Sequence, residues 1–175
     1  MDTTNTDQQH QKYMDLALRE AQRAAESGEV PTGCVIVHTP ENSQSPKVIA
    51  RAHNQVEMLK DPTAHAEMIA ITQAAATLGD WRLTKTTLYV TKEPCAMCAG
   101  AIVLARIPRL VFGVPDAKRG GAVSVFQIVQ HPDLIHRCEV TQGIKADESL
   151  YLLQSFFQSR RQKTSLPKGN SGETQ

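Results

Sequence analysis

With 175 residues and a formal charge of only +1, the chain can bury a real core without disulfide staples, and its overall field is too weak to hold nucleic acid. Its apolar runs are too short for a membrane span, and the polar N-terminus lacks the apolar stretch of a secretory signal, so a cytoplasmic protein with no membrane partner is expected. Four cysteines in a chain of this length do not make a disulfide framework, and the C-x-x-C pair is better used as metal thiolates, with Cys34 and Cys138 left over.

A flexible lead is expected over residues 1–11, a single zinc-binding domain over 12–163 and a disordered tail, rich in Ser, Gly, Pro and Lys, over 164–175. Tyr13, Leu16, Ala17, Ala21 and Ala24 recur at helical spacing and predict a helix over 8–27, ended by Gly28. Residues 33–38 and 48–52 are short apolar runs around a polar loop and read as a β-hairpin. Asp61-Pro62-Thr63 carries capping chemistry for an alanine-rich helix over 64–78, which places His65 and Glu67 in its first turn. A strand over 86–91, a helix opened by Pro94 and a strand over 109–113 follow. A polar loop over 116–121, one or two helical turns within 124–129, a strand over 139–144 and a helix over 146–162 complete the chain. Alternating strands and helices after a hairpin predict a mixed sheet of five strands covered on both faces, a three-layer α/β/α fold.

Two fragments carry the chemistry: His65-Ala66-Glu67 and Pro94-Cys95-Ala96-Met97-Cys98. A structural zinc normally takes four protein ligands, whereas a catalytic zinc keeps three and leaves a corner to water. His65, Cys95 and Cys98 make three, and Glu67 is a carboxylate to spare, suited to general acid/base work. A closed site completed by Cys34 is the structural alternative. Two thiolates cancel the charge of Zn²⁺, so helix N-termini aimed at the ion are expected to restore the positive potential that brings water toward a pKa of ~7. H-x-E followed by P-C-x-x-C is the zinc nucleobase deaminase signature.

The flanking residues go further. DPTAHAE (61–67), EPCAMCAG (93–100), ARI (105–107), VFG (111–113), DAK (116–118), GIKADE (143–148) and FFQSRR (156–161) resemble the bacterial tRNA-specific adenosine deaminases, within the cytidine deaminase-like fold. The resemblance implies deamination of adenosine to inosine at the wobble position of a tRNA anticodon, by a homodimer with one zinc per subunit. Glu67 would take the water proton, pass it to N1 and, in a later second transfer, protonate the departing ammonia. It further implies that Asn54 and Val30 meet the base and that Asp116 and Lys118 meet the neighbouring nucleotides. At the end of the last helix, exposed Phe157 would pack on the anticodon loop, with Arg160, Arg161 and Lys163 on phosphates. By composition alone Asn54 is equally a turn residue, and residues 116–121 a solvated turn. Thr32 and Cys34 depart from the family pattern where small or apolar residues are common, while Pro115 and Gln55 stand where basic residues are frequent and so thin its basic surface. The helix carrying Cys98, Ile102 and Leu104 is a candidate dimer surface, although those residues suit a core equally well.

Two other readings are open. A free-base guanine or cytosine deaminase would use the same zinc and glutamate, and is separated by the 116–121 loop and the 156–161 helix end. A non-catalytic, zinc-stabilised RNA-binding protein would be expected to lose Glu67 or gain a fourth ligand.

Overall fold

In the computed structural model, residues 3–41 and 45–165 are described. Five strands form one mixed sheet in the order β2-β1-β3-β4-β5. β1 (Gly33–His38) pairs antiparallel with β2 (Lys47–His53) and with β3 (Thr86–Lys92), while β3, β4 (Arg109–Val114) and β5 (Glu139–Gln142) run parallel. The helices are α1 (Thr3–Glu26), the single turn α2 (Val56–Leu59), α3 (Ala66–Leu78), α4 (Ala96–Leu104) and α5 (Ala146–Ser165). A 3₁₀ turn over Ile128–Gln130 overlaps only the end of 124–129, the stretch expected to make one or two helical turns.

The central strands are apolar on both sides because both faces are covered. Cys34, Ile36, Leu88, Val90, Leu110 and Phe112 point toward α3 and α4 and pack with Ala66, Ala70, Ala74, Ala99 and Ile102. Their neighbours Val35, Val37, Tyr89 and Val111 point the other way and pack with Tyr13, Met14 and Ala17 of α1. This is the three-layer α/β/α arrangement with a mixed five-stranded sheet that the element order predicts. At Gly33 a β-carbon would overlap the carbonyl oxygen of Ala17, so the absence of a side chain lets α1 lie directly on β1.

Several boundaries differ from the sequence reading. α1 begins at Thr3, within the expected flexible lead, because a polar helical turn without an apolar face leaves no periodicity to read. α3 is capped at His65 and α4 at Cys95. Asp61 instead folds a tight turn, its Oδ1 accepting from Thr63 N (2.8 Å) and Thr63 Oγ1 (2.7 Å), and Pro94 lies just outside α4. β5 stops at Gln142, where Gly143 turns the chain with φ +86°. The expected tail lies outside the described residues from position 166, and part of the hairpin loop, 42–44, also lies outside them. No helix among the described residues is long and apolar enough to cross a membrane.

Candidate active site

The N-termini of α3 and α4 converge. His65 and Cys95 are the N-cap residues, both with extended backbone and neither using its side chain as a cap. For α3 the capping is supplied from elsewhere: Asn54, just past the end of β2, accepts from Ala66 N through Oδ1 at 2.9 Å and satisfies an orphan helical donor. The His65 ring is thereby available to a ligand. Its Nδ1 lies 3.6 Å from Cys95 Sγ and 3.5 Å from Cys98 Sγ, all three donor atoms lying within 4.8 Å of one another.

A tetrahedral zinc with bonds of ~2.1 Å to nitrogen and ~2.3 Å to sulfur sets N···S edges of about 3.6 Å. The donor set fits Zn²⁺ in chemistry and in spacing. Cys34 does not join this group among the described residues; it is buried in the sheet core, and burial pushes its thiol up. The Cys95 thiol is drawn down to about 3, first by a hydrogen bond from Cys98 and, against burial, by His65 and the Cys98 backbone N–H. The Cys98 thiol is pushed up because Cys95 takes the negative charge first. One thiolate is thus already favoured, and a dication supplies what the second requires.

Glu67, in the first turn of α3, is buried, and burial above all raises its carboxyl from the ordinary value. Its Oε2 is buried without a hydrogen-bond partner among the described residues. Leaving such an atom unmet costs ~1–3 kcal/mol, so the arrangement favours a polar ligand from outside the chain at that oxygen. His65, Glu67 and Cys95 open onto a cavity of about 340 Å³, walled also by Val30, Asn54 and Phe156.

The far wall is the loop after β4, and a buried carboxylate organises it. Glu93 Oε1 accepts from the backbone N–H groups of Val123 (2.8 Å) and Ser124 (2.9 Å), and more weakly from Ala122 (3.3 Å). Its Oε2 accepts from Asp116 N (2.8 Å) and from the Ser124 hydroxyl. Burial opposes the charge of Glu93, but these hydrogen bonds prevail and hold its carboxyl below the usual range. Gly120 lies so close that a β-carbon there would strike the Glu93 carboxylate, and Gly121 N donates to Pro94 O at 2.7 Å, beside Cys95. The loop and the metal-binding end of α4 are therefore one structure.

A family profile for the cytidine and deoxycytidylate deaminase zinc-binding region matches residues 7–114. The chain belongs to this deaminase family. The deaminase is 42% identical to the tRNA-specific adenosine deaminase of Bacillus subtilis over 165 residues, 94% of its own length and 99% of the relative's. It is 48% identical to the enzyme of that name from Aquifex aeolicus over 149 residues, covering 85% and 94% of the two chains. A solved structure from studies of A-to-I editing by tRNA:A34 deaminases at the wobble position matches with a TM-score of 0.75 at 43% identity, covering 81% of the deaminase and 99% of that chain. A guanine deaminase from Nitrosomonas europaea, at 22% identity and a TM-score of 0.65, shares the fold. One zinc ion is the cofactor of the deaminase, and His65, Cys95 and Cys98 fit it.

The remaining residues singled out in the sequence are spread more widely. Val30, Asn54, Asp116 and Arg160 line the cavity of the deaminase, whereas Lys118, Phe157 and Arg161 are not part of its wall. Phe156 lines the cavity, and Phe157 beside it is 43% exposed. Arg160 is engaged within the protein: Nη2 donates to Gly28 O at 2.9 Å, and the guanidinium lies 5.3 Å from the Phe156 ring centre. Asp116 pairs with Lys92, and its Oδ1 accepts from Lys118 N (3.0 Å) and Arg119 N (3.2 Å), so it shapes the loop from within. The Lys163 side chain lies outside the described residues. Sequence reasoning missed Glu93, although a carboxylate directly before Pro94 in the metal motif was a signal. It also missed Glu29, a buried cavity residue whose Oε1 accepts from Met58 N at 2.8 Å, for which a Gly-Glu turn gave no signal.

Proposed function

We propose that this deaminase converts adenosine to inosine at the wobble position of a tRNA anticodon, as a cytoplasmic homodimer. The observation that carries the chemistry is Glu67, buried beside three zinc-type donors with one carboxylate oxygen unmet among the described residues. The choice of substrate is supported by relatives of that name at 42% and 48% identity over nearly their whole length. Zinc at His65, Cys95 and Cys98 would supply the Lewis acidity that makes water a nucleophile near neutral pH. Glu67 takes one proton of the water at Oε2 and passes it to N1 of the adenine; it then takes the proton left on the new C6 hydroxyl and delivers it to the amino group, which leaves as ammonia while C6 becomes a carbonyl. Its raised carboxyl suits both directions of transfer. Val30 and Phe156 give the base apolar walls, while Asn54, fixed by its bond to Ala66, offers its amide to the ring edge.

A base in an anticodon loop is already unstacked on one side, so withdrawing it into the cavity costs only a few kcal/mol. For the dimer, Cys98 and Ile102 are core residues, and of that trio Leu104, 65% exposed, is the one left to face a partner. Sedimentation at low concentration tests that part. The catalytic reading is tested by incubating zinc-loaded protein with an anticodon stem-loop carrying wobble adenosine and, in parallel, with guanine and cytosine. Inosine in the stem-loop and no ammonia from either free base is expected; the reverse pattern would establish the free-base enzyme instead.

A further inference from the structure

We propose that Arg119 is the cavity cation that takes a backbone phosphate of the substrate, an inference that rests on the RNA reading above and names the residue that meets the RNA backbone. The cavity is crowded with carboxylates, Glu29, Glu57, Glu67, Glu93 and Asp116 among them, so a polyanion entering it needs a cation at the mouth. Among the described residues three lysines or arginines line the wall: Lys92, Arg119 and Arg160. Lys92 is bound to Asp116 Oδ2, with side chains only 21% and 11% exposed. Arg160 serves the Gly28 carbonyl and the Phe156 ring.

Arg119 is differently placed. Its side chain is 74% exposed, and its ion pair with Asp116 is long, 3.8 Å from Nε to an Oδ2 that Lys92 already occupies. An exposed pair of that length holds a guanidinium weakly. The backbone that presents it is firmly fixed, since Arg119 N donates to Asp116 Oδ1 and O, and Glu93 ties down the rest of the loop. A fixed backbone bearing a loosely held fork of N–H donors matches a phosphate with little ordering cost. Lys118, its exposed neighbour, is not part of the cavity wall.

The test compares zinc-loaded wild type, Arg119→Gln, Arg119→Lys and Lys118→Gln for binding and turnover of the wobble-adenosine stem-loop across a salt series. Arg119→Gln is expected to weaken binding roughly tenfold, the worth of one hydrogen bond to a charged group. It should also flatten the log–log salt dependence by ~0.7, the value for one phosphate contact on a single strand. KM should rise with kcat nearly unchanged, and Arg119→Lys should recover the salt slope. An Arg119→Gln protein with wild-type KM and slope, or a loss carried wholly by Lys118→Gln, would overturn the assignment. Failure of the wild type itself to bind or deaminate the stem-loop would instead remove the RNA reading on which it rests.

Discussion

Replacing Glu67 by Gln should leave the fold and the zinc in place and still lower kcat by at least about 100-fold. The substitution keeps size and shape at a fully buried position in the first turn of α3. Burial already favours the uncharged form of this carboxyl, so a neutral amide adds little desolvation cost there. What the amide cannot do is accept a proton from water and give it back. Zinc content and melting temperature close to wild type, beside a collapsed rate of inosine formation, is the expected combination. A variant of normal rate would end the assignment of Glu67 as the proton carrier.

Removal of a donor should have a larger and broader effect. In Cys98→Ala or His65→Ala two donors remain where three stood, and purified protein should carry little zinc and show no measurable turnover. Stability should fall as well, because an ion held by His65 at the start of α3 and by Cys95 and Cys98 on α4 links two helices, and its binding energy counts toward folding. Cys34→Ala is the informative contrast. That thiol sits in the sheet core and is not one of the mutually close donors, so its loss should cost packing alone and leave zinc stoichiometry unchanged. Full zinc content in Cys98→Ala, or zinc loss in Cys34→Ala, would mean that the donor set is misassigned.

The metal centre was legible in the sequence because its chemistry permits few residue types and its spacing is short within each fragment. The layered sheet was legible because β1, β3 and β4 are apolar on both faces and the intervening helices are amphipathic or alanine-rich. What could not be read was the cross-chain hydrogen bonding that decides where a helix begins and which way a side chain turns. Asp61 has capping chemistry, yet α3 starts at His65 because Asn54 reaches across from the end of β2 to meet Ala66 N. Phe156 and Phe157 are indistinguishable by type, and only the seating of α5 puts Phe156 in the cavity wall and leaves Phe157 exposed. Nor does the sequence around Arg160 carry any sign of the bond its guanidinium makes to Gly28 O, a residue distant in the chain. Glu93 escaped notice for the same reason: its hydrogen-bond partners lie on a loop more than twenty residues away.

X-ray absorption at the zinc edge of the wild-type protein addresses the central claim most directly. Two sulfur scatterers at ~2.3 Å and two nitrogen or oxygen scatterers at ~2.0–2.1 Å are expected, one of the light atoms being His65 Nδ1 and the other solvent. Three sulfurs, or a second histidine ring in the outer shells, would mean a site closed by protein and would contradict a hydrolytic role.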